Sequence, residues 1–131
     1  MQAEARWYVA GRIVHARLVQ LNSIQDAQQI DQLIRQYLDS GNGALVHLLL
    51  DHNALVKPAL SPQESQQHTT YLRHPMLGWV VAYGGSRQLG AYSKALHNGT
   101  RFHRSPDLAH ALRFLRDVDI TLPDLNSGKL A

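Results

Sequence analysis

One apolar segment limits the fold more than any other feature of the chain. Residues 44–51 read ALVHLLLD, so that His47 is the single polar side chain before Asp51 ends the run. A run this short cannot span a membrane, and it is typical of a strand that is covered on both faces. Strands of this kind occur in parallel sheets with helices packed on each side. The segment therefore predicts an α/β protein.

The hydrophobic pattern elsewhere supplies the other elements. The runs WYVA (7–10) and RIVHARLV (12–19) predict two strands of a hairpin that turns at Gly11. From Asn22 to Leu38 apolar residues recur at intervals of three and four, which predicts an amphipathic helix. GWVVAYGG (78–85) and TRFHR (100–104) predict two further strands. Three more helices are predicted to begin at Ser61, at Ser86 and at Ser105-Pro106-Asp107.

The resulting order is β-β-α-β-α-β-α-β-α. It predicts a β-hairpin followed by alternating helices and strands, in a mostly parallel sheet of about five strands flanked by about four helices. A chain of 131 residues fits one domain, which we place at residues 1–120. Residues 121–131 contain proline and glycine, and we expect them to form a flexible C-terminal tail.

Composition excludes several classes of function. The chain has no cysteine, which excludes disulfides, thiol catalysis and thiolate metal sites. The net charge is +3, but the arginines are spread along the chain without a basic run, so no nucleic-acid partner is predicted. The N-terminus lacks the apolar centre of a signal peptide, and we expect a cytoplasmic protein without stable membrane insertion. No cofactor is predicted.

Three segments carry a resemblance to a known family: residues 44–51 (ALVHLLLD), 72–85 (LRHPMLGWVVAYGG) and 101–115 (RFHRSPDLAHALRFL). Together with the element order, they resemble the STAS domain of bacterial anti-sigma-factor antagonists, and more closely its SpoIIAA-like stand-alone branch. The likeness covers roughly residues 7–118. The resemblance implies a non-enzymatic bacterial regulatory module that binds a partner protein, with serine or threonine phosphorylation as the switch in the antagonists.

The serine motif of the antagonists is absent from this chain. Theirs is an Asp-Ser-Ser-Gly-like sequence at the start of the helix after the central strand, whereas here residues 51–64 read DHNALVKPALSPQE. Ser61 is the only residue with a hydroxyl between Asp51 and Pro62, and its position three residues before Glu64 is also that of a helix N-cap. The resemblance therefore implies a protein-binding module without the usual phospho-serine motif.

The ends of two predicted strands supply the candidate site. The carboxyl ends of parallel strands commonly face the crevice in which ligands bind, and the helix start at Ser86 offers free N–H groups to an anion, with Arg87 as a counter-charge. An alternative function is therefore a small-molecule or lipid carrier for an apolar or anionic ligand. A purely structural role for the same residues stays open. The candidate residues are Asp51, His52, Ser61, Gly84, Gly85, Ser86 and Arg87.

Catalytic and metal sites are weakly indicated. No two of the eight histidines have the spacing of three or four that places two ligands on one helix face, so no metal site is predicted. GSRQLGAY (85–92) has the glycine spacing of a phosphate loop but lacks its lysine, which excludes nucleotide hydrolysis. The neighbours His52 and Asp51 keep a hydrolase as a minor hypothesis. Tyr71 and Tyr92 are candidates for an apolar pocket, and the aromatic pair Trp7-Tyr8 on an edge strand leaves a homodimer open.

Overall fold

A computed structural model describes residues 2–125 as one five-stranded sheet with helices on both faces. The α/β class predicted from the sequence is confirmed, as are the mostly parallel sheet and, within the described residues, its four α-helices. The strands are β1 (Ala3–Val9), β2 (Ile13–Leu18), β3 (Val46–Asp51), β4 (Leu77–Tyr83) and β5 (Phe102–Ser105). The α-helices are α1 (Ile24–Asp39), α2 (Pro62–Gln67), α3 (Arg87–Leu96) and α4 (Leu108–Val118).

The strands lie in the sheet in the same order as in the chain, β1-β2-β3-β4-β5. The hairpin pair β1-β2 is antiparallel, and the other three pairs are parallel. Because crossovers between parallel strands are right-handed, successive crossovers in one direction place their helices on the same face. Accordingly, α1 and α3 share a core on one face, whereas α4 packs on the other.

The apolar segment 44–51 contributes to both cores. Leu48 and Leu50 face the core beneath α1 and α3, while Leu49, between them, faces the core beneath α4. All three side chains are fully buried. Successive side chains of a strand point to opposite faces, so a strand covered on both sides is apolar throughout. This alternation also decides where the residues after the strand point.

The second core includes residues that the sequence assigned to a flexible tail. Leu122 and Leu125 are 8% and 4% exposed, and both pack in the core beneath α4. The packed part of the chain therefore extends to at least Leu125, because two leucines in this segment bury apolar area against the sheet. The remainder of the predicted tail, residues 126–131, lies outside the described residues.

The sequence predicts that the helix beginning after Ser61 continues until just before His74-Pro75, and the observed helix is shorter. Its N-terminus is as expected, with the Ser61 side chain accepting the N–H of Glu64 and the Glu64 carboxylate accepting the N–H of Ser61. It ends at Gln67, and a separate 3-10 helix, Thr70–Arg73, follows. The carboxylate of Asp31 in α1 accepts the Tyr71 N–H at 2.8 Å, so that this backbone group bonds across to α1. A bond across 40 residues is not encoded in the local pattern.

A polar network, which we call the Asp119 network, joins the end of α4 to the sheet. Asp119 accepts hydrogen bonds from Arg12 and from His47, each at 2.7 Å. Nδ1 of His47 accepts the backbone N–H of Trp79 at 2.9 Å, so Nε2 carries the proton and donates to Asp119. Desolvation opposes ionisation of Asp119, but hydrogen bonds from Thr121 and His47 outweigh it and hold its pKa well below the ordinary value. His47 is therefore a hydrogen-bonded histidine of the core.

Gly78 in β4 is packed against that network. A Cβ atom at position 78 would overlap the His47 ring, with Cε1 2.8 Å away, and the ring is held on both sides by Trp79 and Asp119. We expect Gly78→Ala to lower the free energy of unfolding by about 2 kcal/mol, as measured by urea unfolding.

Gly90→Ala is the matched control for this substitution. A Cβ atom at position 90 would contact the flexible end of the Arg104 side chain, which can move aside. Alanine also favours the helical conformation of α3 more than glycine does. We expect a change of less than about 1 kcal/mol for Gly90→Ala. Equal losses of unfolding free energy for Gly78→Ala and Gly90→Ala would show that the His47 ring can move to accommodate a Cβ atom at position 78.

Candidate ligand-binding cleft

A cleft of about 1040 Å³ lies at the carboxyl ends of β3 and β4. Its walls come from the loop after β3 (residues 52–61) and from the first turns of α2 and α3. Much of the lining is apolar: Leu55, Pro58, Leu60, Pro62, Leu89 and Tyr92. This is the end of the sheet at which the sequence predicted a site.

Two helix starts lie next to each other at the cleft, and their local sequences explain both. Ser61 caps α2, and the side chain of Ser86 caps α3 by accepting the Leu89 N–H at 3.1 Å. A hydrogen bond of 2.6 Å between the hydroxyls of Ser65 and Tyr92 joins the two helices. The cleft is therefore bounded by helices whose N-terminal turns are fixed by their own side chains.

The turn after β4 depends on glycine. Gly84 and Gly85 have φ of 78° and 74°, values that residues with a side chain rarely adopt. A Cβ atom at Gly84 would overlap the side chain of Asn53, and Asn53 Oδ1 accepts the Gly85 N–H at 3.3 Å. The loops that follow β3 and β4 are thereby held together at the edge of the cleft.

The structure brings only some of the predicted site residues together. His52, Ser61, Gly85 and Ser86 line the cleft. The carbonyl of Gly84 accepts a hydrogen bond from Arg104 and is not part of the lining. Arg87, at the first position of α3, lines a separate groove beside β5. The proposed anion site at Ser86 therefore lacks the arginine that the sequence assigned to it.

Asp51 also lies away from the cleft, because it points to the opposite face of the sheet from His52. It lines a polar depression of about 320 Å³ above β1 and β2. There the hydroxyl of Tyr83 contacts His15 Nε2 at 2.7 Å, and burial together with the Asp51 charge raises the pKa of Tyr83 to about 12. The other lining residues are Glu4, Ala5, Arg6, His15 and Arg17.

The acid–base pair considered for a hydrolase does not form. Oδ1 of Asp51 accepts the backbone N–H of Asn53 at 2.9 Å, which is the structural role left open by the sequence. Within residues 2–125 neither ring nitrogen of His52 has a hydrogen-bond partner. Consecutive residues at the end of a strand point to opposite faces, so this separation follows from the backbone.

His52 is 2% exposed and is the most unusual residue of the cleft. Burial lowers its pKa to about 4; the Asp51 charge opposes this shift and the Arg104 charge adds to it. The ring is therefore neutral at physiological pH. Buried polar groups in proteins are nearly always hydrogen-bonded, so the two unpartnered ring nitrogens of a histidine beside a cleft require an explanation.

Part of the cleft lining was not predicted from the sequence. Leu55, Lys57 and Leu60 lie in the loop after β3 between the predicted residues His52 and Ser61, and none of the three was predicted. The available signal was the composition of that loop, HNALVKPAL, which is more apolar than a solvated connection requires. Of the two tyrosines considered for a pocket, Tyr92 lines the cleft, whereas Tyr71 is buried and bonds to His97 at 2.7 Å.

Comparisons with family models, with curated proteins and with solved structures found no match to this chain. Among residues 2–125, no helix has the length and apolarity needed to cross a membrane. The same part of the chain contains no group of three or more His, Asp or Glu side chains arranged to hold a metal ion. The STAS resemblance thus rests on the sequence segments that carry it.

Proposed function

We propose that this protein is a non-enzymatic binding module of STAS/SpoIIAA-like type and that its cleft binds a small molecule with an apolar body. The observation that carries the proposal is the cleft itself. Its volume of about 1040 Å³ is at the upper end of the range of ligand pockets, about 300–1,000 Å³. Its apolar lining with a few polar groups is also typical of such pockets.

The arrangement of polar side chains favours binding over catalysis. A hydrolytic site needs a nucleophile, a base and a group that orients the base within hydrogen-bond reach of one another. Here Asp51 and His52 lie on opposite faces, and Ser61 and Ser86 are engaged as helix caps. These contacts support a site that binds a ligand without breaking or forming covalent bonds in it.

A partner protein is the second candidate, and one exposed side chain favours it. Val56 is 66% exposed and lies between Leu55 and Lys57, which line the cleft. Its loop corresponds to the region in which the antagonists carry their regulatory serine. An exposed valine at this position would suit contact with a partner at the cleft rim.

Native mass spectrometry of the protein purified from its source distinguishes the two candidates. We expect a retained small molecule, seen as an added mass that is lost on denaturation. A copurifying protein chain without a small molecule would favour the partner-binding alternative.

A substitution that fills the cleft provides the direct test. We expect Ala91→Trp to reduce the affinity for N-phenyl-1-naphthylamine, an uncharged apolar fluorophore, about tenfold or more, because Ala91 lines the cleft and indole would occupy the space of the probe. The measurement is a fluorescence titration at neutral pH.

Ala95→Trp is the matched control for this test. Ala95 is exposed one turn further along α3 and is not part of the cleft lining, so it should leave the titration unchanged. If the probe binds both variants as tightly as it binds the unmodified protein, the cleft is not its site and the proposal loses its support.

A further inference from the structure

His52 differs from the other buried histidines of the chain in its hydrogen bonding. His97 bonds to the Tyr71 hydroxyl at 2.7 Å and to the Ser93 carbonyl at 2.8 Å. His47 bonds to Asp119 and to the backbone of Trp79. The fold thus satisfies both nitrogens of these two rings, whereas His52 has no partner for either nitrogen within residues 2–125.

The position of His52 explains how a ligand could supply the missing bond. His52 lines the cleft, and its neighbours in the wall include the apolar side chains of Leu55 and Leu89. Both ring nitrogens are buried in this wall, so a polar group must displace the side chains that cover the ring before it can hydrogen-bond to the imidazole. It then relieves the cost of an unpaired buried group. A purely apolar ligand would leave the imidazole unpaired.

The charges around the cleft identify the kind of polar group. Of the side chains in residues 2–125 that line it, Lys57 is a cation and Glu64 an anion, so their charges cancel. His52 contributes no charge, because burial lowers its pKa to about 4. A neutral imidazole offers one donor and one acceptor. A charged head group would lose its hydration in this cleft without gaining a net opposite charge.

We propose that the ligand of the cleft carries an uncharged hydroxyl or amide group that hydrogen-bonds to His52, next to an apolar body packed against Leu55, Leu60 and Leu89. This inference rests on the proposed binding function and specifies the chemistry of the ligand. It replaces the anionic ligand that the sequence suggested at Ser86 and Arg87 with a neutral one.

Three probes of equal chain length test the inference: 1-octanol, octanoate and octylammonium. Each is titrated at neutral pH into ¹⁵N-labelled protein, and NMR follows the cleft amides and the His52 ring nitrogens. We expect 1-octanol to bind about fivefold or more tightly than either ion, because each ion loses the hydration of its charge in the cleft, and to shift the ring resonances.

Two variants of His52 separate a ligand contact from a structural role. His52→Leu should lower the affinity for 1-octanol about fivefold, while His52→Gln, which keeps a donor and an acceptor, should retain much of it. His103→Leu is the control, since His103 stacks on Phe114 of α4 and lies outside the cleft. The fold of each variant is checked by its amide spectrum.

The possible results divide cleanly between the two proposals. If octanoate or octylammonium binds as tightly as 1-octanol, or if His52→Leu leaves the octanol affinity unchanged, the neutral-ligand inference is overturned and the binding function stands. If none of the three probes shifts the cleft amides, the proposed binding function itself is overturned, and the inference with it.

Discussion

Replacing Asp119 by alanine is expected to lower the free energy of unfolding by about 3 kcal/mol. The change leaves two donors without their acceptor, because Arg12 and His47 both donate to Asp119 at 2.7 Å. The side chains of Arg12 and His47 are only 12% and 3% exposed, so water replaces the lost bonds poorly. Urea unfolding at neutral pH provides the measurement.

Two further variants show whether this loss comes from the network. Asp117→Ala removes an exposed carboxylate two residues earlier, in the last turn of α4, and we expect it to change stability by less than about 0.5 kcal/mol. Asp119→Asn keeps an acceptor and loses the charge, so its effect should be intermediate. Equal effects of Asp119→Ala and Asp117→Ala would contradict the role assigned to the Asp119 network.

The Asp119 network also shows why only part of this fold could be predicted from the sequence. The helix caps at Ser61 and Ser86 were predicted because each depends on residues within one turn. Asp119 and His47 are 72 positions apart, and no local pattern joins them. Leu122 and Leu125, beyond the predicted domain end, are likewise buried by contacts with the core beneath α4 rather than by a local pattern.

The candidate site could be predicted to the correct end of the sheet, but only some of its residues could be predicted. The prediction relied on the crevice at the carboxyl ends of parallel strands. The cleft forms at that end, between the loop after β3 and the starts of α2 and α3. Asp51 and Arg87 line other grooves and do not join His52 and Ser86 there.

One of these errors could have been avoided from the sequence alone. Asp51 and His52 are consecutive at the end of a strand, and the period of two places their side chains on opposite faces. Grouping them as a pair ignored that alternation. By contrast, nothing in the local sequence shows that the His52 ring lacks a partner while the rings of His47 and His97 have two each.

Mild acid is expected to destabilise the protein strongly, because neutral histidines are buried in both cores. Burial lowers the pKa of His52 and of His97 to about 4, against 6.5 for an exposed histidine. Between pH 6.5 and about pH 4 these histidines bind protons in the unfolded chain but not in the native state. Their contribution to the free energy of unfolding is therefore fully present above about pH 7 and is lost as the pH falls from 6.5 towards 4. Each of the two histidines contributes a loss of up to about 3 kcal/mol.

The effect can be assigned to His52 by removing the group that titrates. His15 and His47 also have lowered pKa values, mainly through burial, and act in the same direction, so the unmodified protein should show a steep loss of stability over this range. Urea unfolding at a series of pH values should give a smaller loss for His52→Leu, by up to about 3 kcal/mol. An unchanged pH dependence in His52→Leu would show that the His52 ring is hydrated in solution. Water would then satisfy the ring nitrogens of His52, and a ligand would gain nothing by replacing it. The same measurement therefore also tests the proposed hydrogen bond between the ligand and His52.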